Sequence, residues 1–391
     1  MIAVLIGGLA GLAPFALDTY LPAFPEIAAS LGTSRAMLQQ SLTSYLIPYA
    51  AMMLVHGPVS DRFGRRRAII GALIVFCAGS LGCALAPSIE VFLACRAVQG
   101  FSAGATTVVG RALIRDLFEG PAAQRQFAQV NLVFTLAPVL APIAGGYLLT
   151  TVGWRSIFWL LLVYPVALLA ASVRFLPETL PPQKRLPLQP TAIATNLTVL
   201  VRKPRFGALA LMIAASFCGF FLYVLAAPVF VRDLLALKAT EFGWLFFFTA
   251  AGTLAGSAWA SRRAAVKAPA ATIGLGLSLS AVAAIANVAY HAAWAPSVPW
   301  SVLPLTLYCC GNALMLPSAT LLILDTSPLP RGATSSLQSF AQIACAALTA
   351  AMIVPIAAHS AFWLALAMLT WLLVCVLSWV ASRAPVLTFP R

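Results

Sequence analysis

The sequence predicts an all-α membrane protein whose twelve transmembrane helices form two pseudo-symmetric six-helix bundles. Three observations carry that prediction. The 391 residues are 61% hydrophobic and only 9% charged, with a mean hydropathy of +0.95, whereas soluble domains carry about 25% charged residues to cover a wet surface. Apolar runs of about 20 residues, long enough to cross a bilayer, recur along the whole chain. A polar stretch rich in Pro, Lys and Arg at 177–205 divides those runs six and six.

In order, the runs fall at 2–25, 36–58, 68–87, 91–113, 127–150 and 156–176, then at 206–230, 241–261, 270–290, 300–324, 334–357 and 361–382. The expected organisation is therefore an N-terminal bundle at 1–176, a linker at 177–205 and a C-terminal bundle at 206–391. The apolar start lacks the positive region of a cleavable signal and reads as the first span; because it begins at once, the natural start is open to lie upstream of Met1. Net charge is +14, but the basic residues sit in short loops rather than in a nucleic-acid-binding patch. One side receives Arg62, Arg65, Arg66, Arg67, Arg111, Arg115, Arg125, Arg174, the linker cations, Arg262, Arg263, Lys267, Arg331, Arg383 and Arg391. The other receives only Arg35, Arg155, Arg232 and Lys238. The positive-inside rule then places both termini and the linker in the cytoplasm. Both halves follow their second run with arginines, a weak repeat that points to a transporter with its site between the halves, near mid-membrane.

Two charges lie deep inside spans. Asp18, in Leu17-Asp18-Thr19-Tyr20-Leu21-Pro22, is an intramembrane acid; such a group costs at least ~2.5–3.5 kcal/mol on insertion scales and is a functional candidate by default. Carboxyls in apolar surroundings bind protons nearer neutrality. Pro14, Pro22 and Pro25 should loosen the helix and free carbonyls toward a cavity. Arg96 lies at a similar depth, since at ~1.5 Å per residue the two are about 10 and 8 Å from the same side, and a pair is geometrically possible. Gln99, Gly100, Ala103, Gly104 and Thr107 give Arg96 the small, polar surroundings of a helix–helix or cavity face.

Between the second and third runs, Gly57-Pro58-Val59-Ser60-Asp61-Arg62-Phe63-Gly64-Arg65-Arg66-Arg67 combines Gly57, Asp61, Arg62, Gly64 and Arg65 in one short loop. That combination resembles the signature loop of the major facilitator superfamily. Arg96-Ala97-Val98-Gln99-Gly100 is similar to the fourth-helix motif of that family. Ala137-Pro138-Val139-Leu140-Ala141-Pro142-Ile143-Ala144-Gly145-Gly146 is similar to the fifth-helix motif of its antiporters. The segment around Asp18, with Ile114-Arg115-Asp116-Leu117-Phe118, resembles the bicyclomycin/chloramphenicol-type drug:proton antiporters. The specific motifs sit in 18–146; the second half keeps Gly256 and the arginines but has no acid where Asp61 stands.

The resemblance implies proton-coupled efflux of small amphiphilic drugs or antibiotics across the bacterial inner membrane by alternating access, with Asp18 and Arg96 in proton coupling. It implies a gating loop of Gly57, Asp61, Arg62, Gly64, Arg65 and Asp116, in which Asp61 meets a helix N-terminus across the interface and Arg62 and Arg65 pair with Asp116, holding the halves closed on one side. Pro138, Pro142, Gly145 and Gly146 bend the fifth helix and let it pack against the other half. Substrate-contact candidates are Tyr20, Gln40, Tyr45, Tyr49, Met52, Gln99, Asn131, Phe217, Phe220, Phe221 and Tyr223, because aromatic and methionine walls with a few polar groups suit varied apolar ligands. The expected partners are the drug, protons and the lipid bilayer, with no nucleic acid. No cofactor beyond the proton gradient is expected, and a single chain closes a whole transporter, so a monomer is expected. A metabolite transporter is the alternative. An enzyme is not expected: the eight cysteines lie in apolar runs, and His56, His291 and His359 are scattered without ligand spacing.

Overall fold

In the computed structural model, which describes residues 2–185, 187, 190–264 and 268–383, every predicted run has a helical counterpart. These are α1 (Ile2–Asp18), α2 (Arg35–Phe63), α3 (Arg65–Leu85), α4 (Ile89–Leu117), α5 (Gly120–Thr151), α6 (Arg155–Phe175), α7 (Pro204–Leu225), α8 (Gly243–Ala264), α9 (Pro269–Ala293), α10 (Leu303–Thr326), α11 (Arg331–Leu348) and α12 (Ala361–Arg383). Lys267 and Arg391 lie outside the described residues.

Packing repeats from one half to the other. In the first, α4 packs on α2, α3 and α1, while α1 packs on α5 and α6; in the second, α10 packs on α8, α9 and α7, while α7 packs on α11 and α12. The halves meet along α2 with α11 and α5 with α8, again related pairs. The pair α1 and α4 is thus backed by α3 and α6, and the pair α7 and α10 by α9 and α12.

Hydropathy follows this layout. Among the described residues, nine helices are long and apolar enough to cross a membrane, the first counted through Ser30. The others, α2, α4 and α8, are more polar because they turn that polarity inward. Gln39, Ser41 and Thr43 on α2, Arg96, Gln99, Ser102, Thr106 and Thr107 on α4 and Thr249 on α8 are all buried. The chain is a multi-pass membrane protein.

The helices also run past the apolar segments. α5 starts at Gly120 and α4 ends at Leu117, because backbone hydrogen bonding does not stop at the edge of the hydrocarbon. Ser34 caps α2 by accepting from Met37 N at 3.1 Å. The linker contains a helix, Pro190–Arg202, where the sequence suggested only a polar connector.

The prolines around Asp18 break the first span. α1 stops at Asp18, a 3-10 turn covers Leu21–Ala23 and a short helix resumes at Phe24–Ser30. At the break, Thr19 folds back so that its Oγ1 and its N–H, the latter at 3.1 Å, both donate to Phe15 O.

Candidate functional site

Asp18 ends α1 with its side chain 2% exposed and Oδ1 buried without a protein hydrogen-bond partner. Arg96 is fully buried on α4. Its guanidinium lies between two tyrosine rings, 4.4 Å from the centroid of Tyr20 and 4.6 Å from that of Tyr45. Such desolvated cation–π contacts contribute about 2 kcal/mol or more. Nη1 donates to Gln99 Oε1 at 2.6 Å and to Ala16 O at 3.3 Å, leaving Nε and Nη2 without protein partners. Gln99 is anchored in turn by donating from Nε2 to Ser80 Oγ at 2.8 Å. Asp18 and Arg96 therefore sit at one level without a direct ion pair: the cation is held by the backbone and rings around the break in α1, two residues before the acid.

Glycine spacing makes this closeness possible. A Cβ on Gly100 of α4 would stand 2.0 Å from Tyr45 O, and one on Gly145 of α5 would stand 1.7 Å from Thr19 O. Only hydrogen fits at either place, so α2 and α5 press their neighbours' backbones around Arg96 and Asp18. The next residue, Gly146, faces the other half, where a Cβ would meet Ala239 O at 2.4 Å. The fifth-helix glycines thus serve two contacts, Gly145 within its own bundle and Gly146 across the interface. Pro138 and Pro142 both lie inside α5.

The arginine-rich loop closes on its own half. Arg65 pairs with Asp61 at 2.5 Å and with Asp116 at 3.2 Å, and its Nη1 donates to Ser60 Oγ at 2.5 Å. Its N–H donates to Glu178 Oε1 at 2.9 Å, and Thr179 Oγ1 donates to Asp116 Oδ2 at 2.8 Å, so the stretch after α6 is stitched to the loop. Two expectations are corrected here. Asp61 meets Arg65, four residues on, rather than a helix N-terminus across the interface, and exposed Arg62 makes no ion pair among the described residues. The loop does not clamp the halves in this conformation, since all its partners among the described residues belong to α2, α4, α6 and the linker. Gly57 lies in the last turns of α2, and Gly64 ends that helix with φ +101 and ψ 149.

Gly64→Ala is expected to be costly for that reason. The backbone region is one that only glycine adopts readily, about 1–3 kcal/mol of strain, and the new methyl would stand 2.3 Å from Glu178 Oε2. In thermal unfolding in detergent the variant should melt several degrees below Gly71→Ala, whose added carbon meets nothing within 4 Å; equal melting would contradict this reading of the loop.

The clasp between halves lies on the opposite face. Arg35 on α2 pairs with Asp233 after α7 at 2.8 Å, and Arg232 pairs with Glu26 at 3.2 Å. Gln39 Nε2 donates to Leu225 O at 3.0 Å. Among the described residues, every ion pair and hydrogen bond joining the halves is on this face, so the protein is closed there.

Several substrate-contact candidates prove to be packing residues. Tyr20 is fully buried against Phe24, Phe92 and Phe158 and bonded to Ser41 at 2.8 Å. Tyr45 donates to Ala13 O at 3.1 Å, Gln99 holds Arg96, and Tyr223 accepts from Asn287 at 2.7 Å. Buried Tyr49 shares a 3.4 Å hydrogen bond with Thr107. These five offer a ligand no free surface in this conformation. Gln40, Met52, Phe217, Phe220 and Phe221 are partly accessible, and Asn131 is exposed; Phe217 and Phe221 stack at 4.7 Å.

A recess of about 40 Å³ opens between α1, α4 and α5, lined by Ile6, Ala10, Thr107, Gly110, Arg111, Val130, Asn131 and Phe134. Of these, the sequence had suggested only Asn131 for substrate contact. Arg111 was read as a cation of the arginine-rich side; it lies on α4, which continues to Leu117, and lines this recess. Glu178, Glu26 and Asp233 had no motif to mark them, since their partners come from far along the chain. Among the described residues no cluster of His, Cys, Asp or Glu could hold a metal ion.

The family model described as the Major Facilitator Superfamily matches residues 6–350. A relative from Haemophilus influenzae, named bicyclomycin resistance protein homolog, is 37% identical over 245 residues, 62% of this chain and 61% of its own length. The chain thus spans about three fifths of that protein in the comparison. The multidrug resistance protein MdtL of Escherichia coli O81 is 28% identical over 330 residues, 84% of this chain and 82% of that one. The fold is similar to the crystal structure of a D-xylose-proton symporter, with a TM-score of 0.73 over 97% of this chain and 96% of that chain at 16% identity. A family model that covers most of the chain, together with the shared fold, shows that the chain belongs to the major facilitator superfamily.

Proposed function

We propose that the protein exports small amphiphilic drugs or antibiotics across the bacterial inner membrane in exchange for protons. The observation that carries this reading is the buried, unpartnered carboxyl of Asp18 at the break in α1, two residues after the carbonyl that holds Arg96. An acid so placed is costly unless it is used; when protonated it is a neutral group in an apolar site, and when ionised it feels Arg96. The fifth-helix glycines and the names of the resistance-protein relatives support export over import.

With the arginine-rich face in the cytoplasm, both termini and the linker at 177–205 are cytoplasmic, and the bundles at 1–176 and 206–391 are clasped on the outside. Substrate then enters from the cytoplasm, and protonation of Asp18 from outside accompanies its release there. Asp61, Arg65, Asp116 and Glu178 form a latch that is exchanged for contacts with the second half when the cytoplasmic side closes. A monomer suffices, and the proton gradient is the only energy source. The test is drug uptake into everted membrane vesicles acidified by respiration: wild type should accumulate drug and lose it when an uncoupler collapses the gradient. Accumulation indifferent to the gradient would overturn proton coupling.

The outer clasp sets the balance between states. Exposed ion pairs contribute about 0.2–1 kcal/mol each, so Arg35→Gln should shift the closed-to-open ratio on that face by about 1.4- to 5-fold. Spin labels on exposed Ala36 and Lys238 should show a larger long-distance population in the variant; an unchanged distribution would remove Arg35–Asp233 from the gate.

A further inference from the structure

We infer that Arg111 receives an anionic group of the substrate, so that the pathway selects amphiphilic anions over lipophilic cations. The inference deepens the export reading by naming its substrate class, and it rests on the distribution of charge.

All ten acids of the chain are described. Glu26 and Asp233 are in the outer clasp, Asp61, Asp116 and Glu178 surround Arg65, and Glu241 accepts from Lys238 N at 2.7 Å. Glu90, Glu119 and Asp325 lie in the end turns of α4 and α10 or just before α5. Only Asp18 lies at membrane depth, buried near Arg96. Nothing acidic is left to meet a cationic ligand on the path.

Arg111 is the other cation on this route. It lies six residues before the end of α4, about 9 Å along the helix, and about 22 Å below Arg96 at ~1.5 Å per residue. The 15 residues between them turn the helix to within about 60° of the same face. Its residue is exposed, yet it lines the recess between α1, α4 and α5. Among the described residues no carboxylate pairs with it. Beside it, Thr107 and Asn131 offer polar groups and Phe134, 38% exposed, an apolar wall. The recess is bounded by α1, α4 and α5, while α3 packs on α4 and α6 on α1. The planar fork of an arginine matches a carboxylate with two parallel hydrogen bonds. An anion with an apolar body satisfies both the charge and the wall.

The experiment uses the full chain in lipid nanodiscs and three ligands of one shape: 1-naphthylacetate, 1-naphthylacetamide and (1-naphthylmethyl)trimethylammonium. Wild type should bind the carboxylate at least about tenfold more tightly than the amide, and the cation more weakly still. Arg111→Gln should erase the carboxylate preference, Arg111→Lys should keep most of it, and Arg111→Glu should reverse it toward the cation. Equal binding of the three by wild type, no binding of the carboxylate, or a preference that survives Arg111→Gln would overturn the inference. The wild-type comparison decides even if a variant fails to fold. Proton-driven export of an uncharged substrate, measured in parallel, separates the two readings. Its persistence in Arg111→Gln leaves exchange intact whatever becomes of selectivity, and its absence from wild type would remove the export reading but not a measured binding preference.

Discussion

Asp18→Asn is expected to reduce gradient-driven drug accumulation in everted vesicles to the level of vesicles without the protein. The substitution keeps size and shape and removes only the site that changes charge. Asparagine mimics the protonated carboxyl, so the variant should fold and should hold one charge state throughout. Its melting temperature should equal or exceed that of wild type, because an ionised carboxyl buried without a hydrogen-bond partner at Oδ1 costs more to desolvate than an amide. Because asparagine stands for the protonated carboxyl, binding of an uncharged drug should weaken by the factor that protonation imposes, and accumulation against its gradient should fail. A variant that still accumulates drug under a pH gradient would mean that the proton passes elsewhere, and no other acid of this chain is buried at membrane depth.

Gly145→Ala should produce the largest structural effect of any single methyl group added to the first bundle. The new carbon would stand 1.7 Å from Thr19 O, a backbone atom on the break in α1 that cannot turn away as a side chain can. Overpacking of this kind costs typically about 1–3 kcal/mol, occasionally more. The damage falls on the geometry that sets Asp18 beside Ala16 O and Arg96. Loss of export should therefore accompany a lower melting temperature. Gly71→Ala, on α3 with nothing within 4 Å of the added carbon, is the control and should leave both unchanged. If Gly145→Ala melted and transported like the control, the tight seat of α5 on α1 would not be part of the machine.

Much of the fold was legible because membrane thickness writes it into the sequence. Each span needs about 20 apolar residues, and the loops declare themselves by charge, so all twelve helices and the six-and-six division could be read directly. Asp18 and Arg96 were legible for the same reason, being charges where none is affordable without a use. Distance along the chain hid the rest. Nothing near Arg35 foretells Asp233, and nothing near Arg65 foretells Glu178, because those contacts exist only once the helices pack. Accessibility was hidden too: Tyr20, Tyr45 and Gln99 have the chemistry of ligand contacts, yet the arginine between the two rings and beside the amide uses them up.

The central claim is that substrate and proton compete through Asp18. If they do, each must weaken the other's binding by the same factor, and drug binding must expel a proton. The direct measurement is proton release on adding a saturating drug to purified protein in lightly buffered detergent near pH 7, read with a pH indicator. The wild-type protein is expected to release up to about one proton per bound drug, fewer as the pH rises and the carboxyl empties before drug arrives, and Asp18→Asn is expected to release none while still binding drug. Undiminished release from Asp18→Asn, or drug binding by wild type with no release of protons, would contradict it.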